Sequence, residues 1–286
     1  MKHILTLLLT ITLVSCSKDE REDIPLSAKK AQTLIDISYG SNANQKMDAY
    51  LPANRSTEGT KVMVLIHGGA WIEGDKTDFN ANIEQFKNVF PGYAIFNVNY
   101  RLFDFVRNAF PAQEQDIKSA VEFIFNKRSD FFISDKFVLV GVSAGAHLAQ
   151  LQAYKNNSVV KPKAIVSFFG PADMEALYNY YYSTNRQMAY GLNLLLGGTP
   201  ANRSQLYYDS SPINFVSAQS PPTIILQGGL DNVVPKQQSY SLEARLKNFN
   251  VKSELIFYPN EEHGWDGPEL TESLQKIVTF LKTNVP

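Results

Sequence analysis

Two kinds of hydrophobic pattern alternate along this chain. Short unbroken apolar runs, such as Val62-Met-Val-Leu-Ile66, Phe137-Val-Leu-Val140 and Thr223-Ile-Ile-Leu226, read as strands buried on both faces of a parallel sheet. Between them lie longer stretches with helical spacing; in one, Ile117, Val121, Ile124 and Phe125 share a face. The pattern predicts strands near 62–67, 93–99, 137–142, 163–169, 223–228 and 252–258, and helices near 79–90, 112–127, 144–155, 236–248 and 268–283. A short hairpin over 33–39 and 46–51 precedes them. Strand–helix alternation predicts an α/β fold with a mainly parallel central sheet and helices on both faces. One segment breaks the rhythm. Residues 174–215 form a connection far longer than usual, rich in tyrosine (Tyr178, Tyr180, Tyr181, Tyr182, Tyr190, Tyr207, Tyr208), and read as a small helical cap insertion. Its tyrosines suit either contact with a sugar or aromatic group or packing of the cap onto the core.

The chemistry concentrates where these runs end. Gly141-Val-Ser-Ala-Gly145 follows one strand and opens an Ala-rich helix. A strand that turns sharply into a helix forces its apex residue, here Ser143, into a strained conformation, and glycines two positions to either side remove colliding side chains. Upstream, the run ending at Ile66 empties into His67-Gly-Gly-Ala-Trp71. The N–H groups of Gly68 and Gly69, with that of Ala144, are the expected oxyanion-hole donors. Trp71, next to them, is the expected lining of an acyl-binding pocket. Downstream, Asp231 follows a strand in a Gly-rich loop bounded by Pro235, and His263 follows the last strand in Glu261-Glu-His-Gly264. The chain has four histidines. His3 is in the leader, His67 is expected to shape the oxyanion loop, and His147, four residues after Ser143, to pack beneath it. His263 therefore remains as the general base. Two aspartates compete for the acid, since Asp173 also follows a strand; Asp231, one strand before His263, is preferred. The order Ser143, Asp231, His263 is that of a nucleophile-elbow hydrolase. Glu261, Glu262 and Asp266 read as a solvated loop face.

Met47-Asp-Ala-Tyr-Leu-Pro52, His67-Gly-Gly-Ala-Trp71, Asn99-Tyr-Arg-Leu102, Phe110-Pro-Ala-Gln113, Gly141-Val-Ser-Ala-Gly145, Ser211-Pro212 and the loops holding Asp231 and His263 run in one order from about residue 33 to the end. In this the chain resembles the esterase/lipase branch of the α/β-hydrolases, close to the acetyl-xylan/feruloyl esterase and hormone-sensitive-lipase-like groups. The lipase-like group often carries Asp before the nucleophile; Val142 stands there instead and fits the acyl esterases better. The resemblance implies an α/β-hydrolase domain over 33–286, a serine carboxylesterase working through an acyl-enzyme without a cofactor, and acetyl or feruloyl groups on polysaccharide as substrate. Two other readings remain: a peptidase of the prolyl-oligopeptidase type, for whose propeller this chain has no room, and a non-catalytic surface binding protein on a hydrolase scaffold.

Composition narrows the partners. With 286 residues, 44% of them apolar, the chain can bury one sizeable core. A formal charge of −1 leaves no basic footprint for nucleic acid. The sequence holds no metal-ligand cluster, P-loop or dinucleotide fingerprint. Residues 1–15 read as a signal peptide of lipoprotein type, its apolar stretch over 4–14 being too short to span comfortably. Cys16, the single cysteine, is the expected lipidation site, with an ordinary secretory leader as the alternative. Residues 16–32 read as a flexible tether. The expected location is the bacterial cell envelope, lipid-anchored on the periplasmic side or at the outer-membrane surface, with a small ester or acylated polysaccharide as the partner.

Overall fold

The computed structural model describes residues 27–155 and 158–286. The signal-type segment 1–15, Cys16 and the tether up to residue 26 lie outside the described residues.

Strands β1 (Gln32–Ser38), β2 (Lys46–Leu51), β3 (Lys61–Ile66), β4 (Tyr93–Val98), β5 (Phe137–Val142), β6 (Ala164–Phe168), β7 (Thr223–Gly228) and β8 (Ser253–Tyr258) form one twisted sheet in the order β1-β2-β4-β3-β5-β6-β7-β8. The first two are antiparallel, and every pairing from β4 to β8 is parallel. The helices are α1 (Asn80–Val89), α2 (Ala112–Asn126), α3 (Arg128–Phe131), α4 (Ala144–Tyr154), α5 (Met174–Thr184), α6 (Arg186–Leu195), α7 (Ser204–Asp209), α8 (Gln237–Asn248) and α9 (Gly267–Asn284). This is the mainly parallel α/β sheet that the alternating pattern predicts, in the α/β-hydrolase architecture that the resemblance implies.

The unbroken apolar runs have the expected cause. Along β3, Val62, Val64 and Ile66 point into one core with α2 and α4, while Met63 and Leu65 point into the opposite core with α1 and α9. A strand covered on both faces cannot carry the polar alternation of a half-solvated one. Its parallel neighbours put the C-terminal ends of β3, β5, β6, β7 and β8 at one pole of the sheet, where the loops that bear Gly68, Ser143, Asp173, Asp231 and His263 emerge.

Between β6 and β7 the chain forms α5, α6 and α7 and a 3₁₀ turn at Pro212–Phe215, which together lie beside that pole. Tyr178, Tyr181 and Tyr207 are buried there, whereas Tyr182, Tyr190 and Tyr208 are exposed.

The tether boundary at residue 32 requires correction. The Arg55 N–H donates to the Ala28 carbonyl at 3.0 Å, and its guanidinium donates to the carbonyls of Lys30 at 2.7 Å and Phe131 at 2.9 Å. Gln32 accepts from the same guanidinium. Residues 28–32 are therefore held against the domain by a buried cation whose five donors need just such acceptors. Sequence alone hides this, because the acceptors are backbone carbonyls.

Candidate active site

The site is assembled from four loops. At the end of β5, Ser143 adopts φ 53° and ψ −119°, a conformation that a side-chain-bearing residue rarely takes. The flanking glycines are required by contact. A Cβ on Gly141 would stand 2.3 Å from the Gly145 carbonyl oxygen, and one on Gly145 would stand 2.1 Å from that of Ile66. The turn places the serine hydroxyl above the N-terminus of α4.

His263 reaches this hydroxyl from the loop after β8. Its Nε2 lies 2.9 Å from Ser143 Oγ, and its Nδ1 lies 2.8 Å from Asp231 Oδ2. A carboxylate only accepts, so Nδ1 carries the proton and Nε2 accepts from the serine. The Asp231 side chain is fully buried and its acceptor capacity is used. Oδ1 takes the N–H groups of Val233 and Val234, both at 2.8 Å, and Oδ2 also takes Gln227 Nε2 at 3.2 Å. Gln227 is oriented in turn by Ser239 Oγ, which donates to its Oε1 at 2.6 Å. Phe169 packs on the other side of the imidazole, 4.6 Å between ring centres.

The competing acid has a different task. Asp173 Oδ1 accepts from the Ala176 N–H at 2.9 Å and caps α5, while its own N–H and carbonyl are clasped by the Gln238 side chain. The structure gives His263 to Asp231.

The loop after β3 turns through three consecutive positive φ values, 100° at Gly69, 50° at Ala70 and 64° at Trp71. A side chain at Gly68 would be crowded, its Cβ lying 3.1 Å from the Val142 carbonyl oxygen and 3.3 Å from Ser143 Cβ. Among the described residues, the N–H groups of Gly68, Gly69, Ala70 and Ala144 donate to no protein acceptor. Two side chains hold the loop from behind. His67 Nδ1–H donates to the Gly68 carbonyl at 2.8 Å, and burial lowers the pKa of that ring. Tyr100 stacks on His67, with ring centres 4.3 Å apart, and its hydroxyl shares its proton between the His67 and Gly68 carbonyls, both at 3.1 Å.

His147 does more than pack. Its Nδ1 accepts from Trp71 Nε1 at 3.2 Å, and its Nε2–H donates to the Ser210 carbonyl at 2.7 Å. One buried imidazole on α4 thus ties the oxyanion-side loop to the end of α7. Complete burial pushes its pKa down to about 4, so this ring is neutral with its tautomer set by its partners. The sequence marked His147 only by its distance from Ser143 and Tyr100 only as part of the Asn99–Leu102 stretch; Gln227 and Gln238 carried no separate signal.

Ser143 stands between two cavities. One, of about 730 Å³, is walled by Phe79, Phe86, Phe168, Phe169 and Trp265 and has His263 at its base. The other, of about 480 Å³, runs beneath the 174–215 helices between Trp71, Tyr181, Met188, Leu192 and Leu195, with Ala144 at its base. Among the described residues, no group of three or more His, Cys, Asp and Glu side chains could hold a metal ion.

A parallel sheet of this order, a serine at a strained elbow and an Asp–His pair from the next loops define the class: an α/β-hydrolase. The chain belongs to the BD-FAE family, which it matches over residues 47–246. It is 28% identical over 249 residues to the probable carboxylic ester hydrolase LipM of Mycobacterium tuberculosis, covering 81% of this chain and 56% of that protein. It is 24% identical to the isoprenylcysteine alpha-carbonyl methylesterase ICME of Arabidopsis thaliana, covering 79% of this chain and 55% of the relative. The chain thus spans little more than half the length of these relatives. Among solved structures, it superposes on a bifunctional GH43-CE of Bacteroides eggerthii with TM-score 0.74 and 25% identity, over 89% of this chain and 38% of that one.

Proposed function

We propose that the protein is a serine carboxylesterase acting through an acyl-enzyme. The observation that carries the reading is the continuous hydrogen-bonded line from Ser143 Oγ through His263 to Asp231 Oδ2, ending on a hydroxyl that faces two cavities. In the mechanism, His263 Nε2 takes the serine proton as Oγ attacks the ester carbonyl. Asp231 holds the tautomer and stabilises the imidazolium that results. The developing oxyanion is received by free N–H groups at Gly68 and Gly69, on a loop that Tyr100 and His67 keep from relaxing, and at Ala144, the first residue of α4. His263 then protonates the departing alcohol, and water repeats the sequence on the acyl-enzyme. The three named groups and the backbone suffice for this chemistry. Hydrolysis of p-nitrophenyl butyrate tests it: wild-type turnover that disappears in Ser143→Ala is expected, and retained turnover would overturn the assignment.

For the natural substrate we favour acyl groups on polysaccharide. The resemblance and the family support this, as do relatives whose names include a GH43-CE and a carbohydrate esterase from gut microbiota. Release of acetate or ferulate from substituted xylan is the assay, and inertness toward both would refute it. The sequence supports lipid attachment at Cys16 and a place in the bacterial cell envelope. Incorporation of labelled palmitate that is lost in Cys16→Ser is the expected result, and equal labelling of both would count against the anchor.

A further inference from the structure

Two cavities meet at Ser143, and the chemistry distinguishes them. In acyl transfer the oxyanion, the acyl chain and the departing oxygen leave the tetrahedral carbon in different directions. The departing oxygen must lie within reach of His263 Nε2, because that nitrogen delivers its proton. His263, Gly264 and Trp265 line only the larger cavity, whereas Ala144 and Trp71 line only the smaller one. The alcohol therefore occupies the larger cavity and the acyl group the smaller.

The two walls differ in charge. The smaller cavity has no ionisable carboxylate, ammonium or guanidinium in its lining. The larger one has Glu73, Asp78 and Asp266 and no lysine or arginine. None of these three carboxylates is paired with a cation in an ion pair among the described residues. Asp78 is partly engaged, since its Oδ2 accepts the Asp75 N–H. Its field reaches the cavity wall: Asp78 and Asp75 both act on the His67 ring in the direction that favours protonation, although burial outweighs them. The same wall contains a buried acceptor. With Nδ1–H committed to Gly68, His67 Nε2 offers a lone pair and has no partner among the described residues. Aromatic faces complete the lining, and they favour cations and the C–H faces of neutral rings over anions.

Resting on the esterase reading above, the geometry points to a charge filter on the alcohol: the His263-side cavity takes neutral, hydroxyl-rich or cationic alcohols and rejects anionic ones such as uronic acids, while the acyl side is indifferent to this field. Low-dielectric walls concentrate such a field, and salt weakens it.

Three butyrate esters test the filter: those of 3-hydroxybenzamide, 3-hydroxybenzoate and 3-(trimethylammonio)phenol. Each rate is divided by that of hydroxide hydrolysis to remove intrinsic reactivity. The comparison is made for wild type and for Glu73→Gln/Asp266→Asn, two exposed positions whose change leaves the Asp78 cap intact. In wild type at low salt, the corrected kcat/KM is expected to fall on the order of tenfold from the neutral to the anionic ester and to rise for the cationic one. Both differences should shrink at 1 M salt and in the double variant. Equal corrected rates for all three esters, or differences that neither salt nor the double variant changes, would overturn the filter. A 3-carbamoylphenyl hemisuccinate places the anion on the acyl side instead. If the double variant accelerates it as much as the anionic-alcohol ester, the assignment of cavities is reversed and the inference fails. Failure of wild type to hydrolyse even the neutral butyrate would remove the esterase reading itself, an outcome distinct from turnover without charge discrimination.

Discussion

The Tyr181 hydroxyl donates to the Val233 carbonyl at 2.8 Å, fastening α5 to the loop whose N–H groups hold Asp231. The tyrosine is buried, and burial raises its pKa, so it remains a donor through the working pH range. Tyr181→Phe removes one hydrogen bond and leaves the Val233 carbonyl unpaired. A stability loss of about 1–2 kcal/mol is expected. If the brace steadies the acid, kcat falls several-fold with KM nearly constant. Unchanged kcat alongside lowered stability would show that the brace serves folding alone.

Asp231 and Asp173 make opposite predictions. Asp231→Asn leaves the Val233 and Val234 N–H groups partnered but presents His263 with the wrong tautomer, so kcat should drop on the order of 10⁴-fold. Asp173→Asn keeps a side-chain acceptor at the α5 cap, and Asp173→Ala should cost about 1 kcal/mol of stability while keeping most activity. Steady-state kinetics and thermal melts on the same preparations check both.

At Ser143, φ 53° with ψ −119° places strain on the nucleophile. Ser143→Ala retains the Cβ and the strain. Ser143→Gly releases it and should melt above the alanine variant, by about 2–4 °C for each kcal/mol recovered. A glycine variant melting lower would show that the elbow is relaxed.

Tyr100→Phe deletes the hydroxyl that bonds the His67 and Gly68 carbonyls and leaves the ring stacked. The oxyanion donors lose a support that matters most when charge develops on the substrate. The expected signature is a fall in kcat of about tenfold with little change in KM. A rise in KM alone would assign Tyr100 to ground-state binding.

His147 predicts a pH dependence of stability. Folded, its pKa is depressed to about 4 from an ordinary 6.5, so between these values the unfolded chain binds a proton that the folded one does not. Its contribution is complete above about 6.5 and is lost as pH falls toward 4, a change of about 3 kcal/mol at most. Buried His67 shifts in the same direction. Urea midpoints at pH 7.5 and 5.0 should therefore differ less in His147→Gln than in wild type. An equal difference would place the acid sensitivity elsewhere.

The readable parts of this molecule share one property: each is announced by neighbours in the chain. Ser143 lies between glycines that its turn requires. Val62 to Ile66 is apolar throughout because two cores claim it. Asp231 and His263 each follow a buried strand, and parallel pairing brings such ends to one pole. What escaped reading depends on contacts between distant positions. Asp173 and Asp231 look alike in sequence, and only the Ala176 N–H beside one and the imidazole beside the other separate their tasks. Trp71, His147 and Ser210 meet across 76 and 63 positions, and no periodicity relates them. Residues 28–32 resemble a tether in composition, and a single buried arginine decides otherwise.

That arginine also settles a direction. Arg55 gathers Lys30 beside Phe131, a few residues before β5 begins, whereas Ser143 stands just past the point where β5 ends. Residues 28–32 are thus held at the rear of the sheet, a strand's length behind the nucleophile.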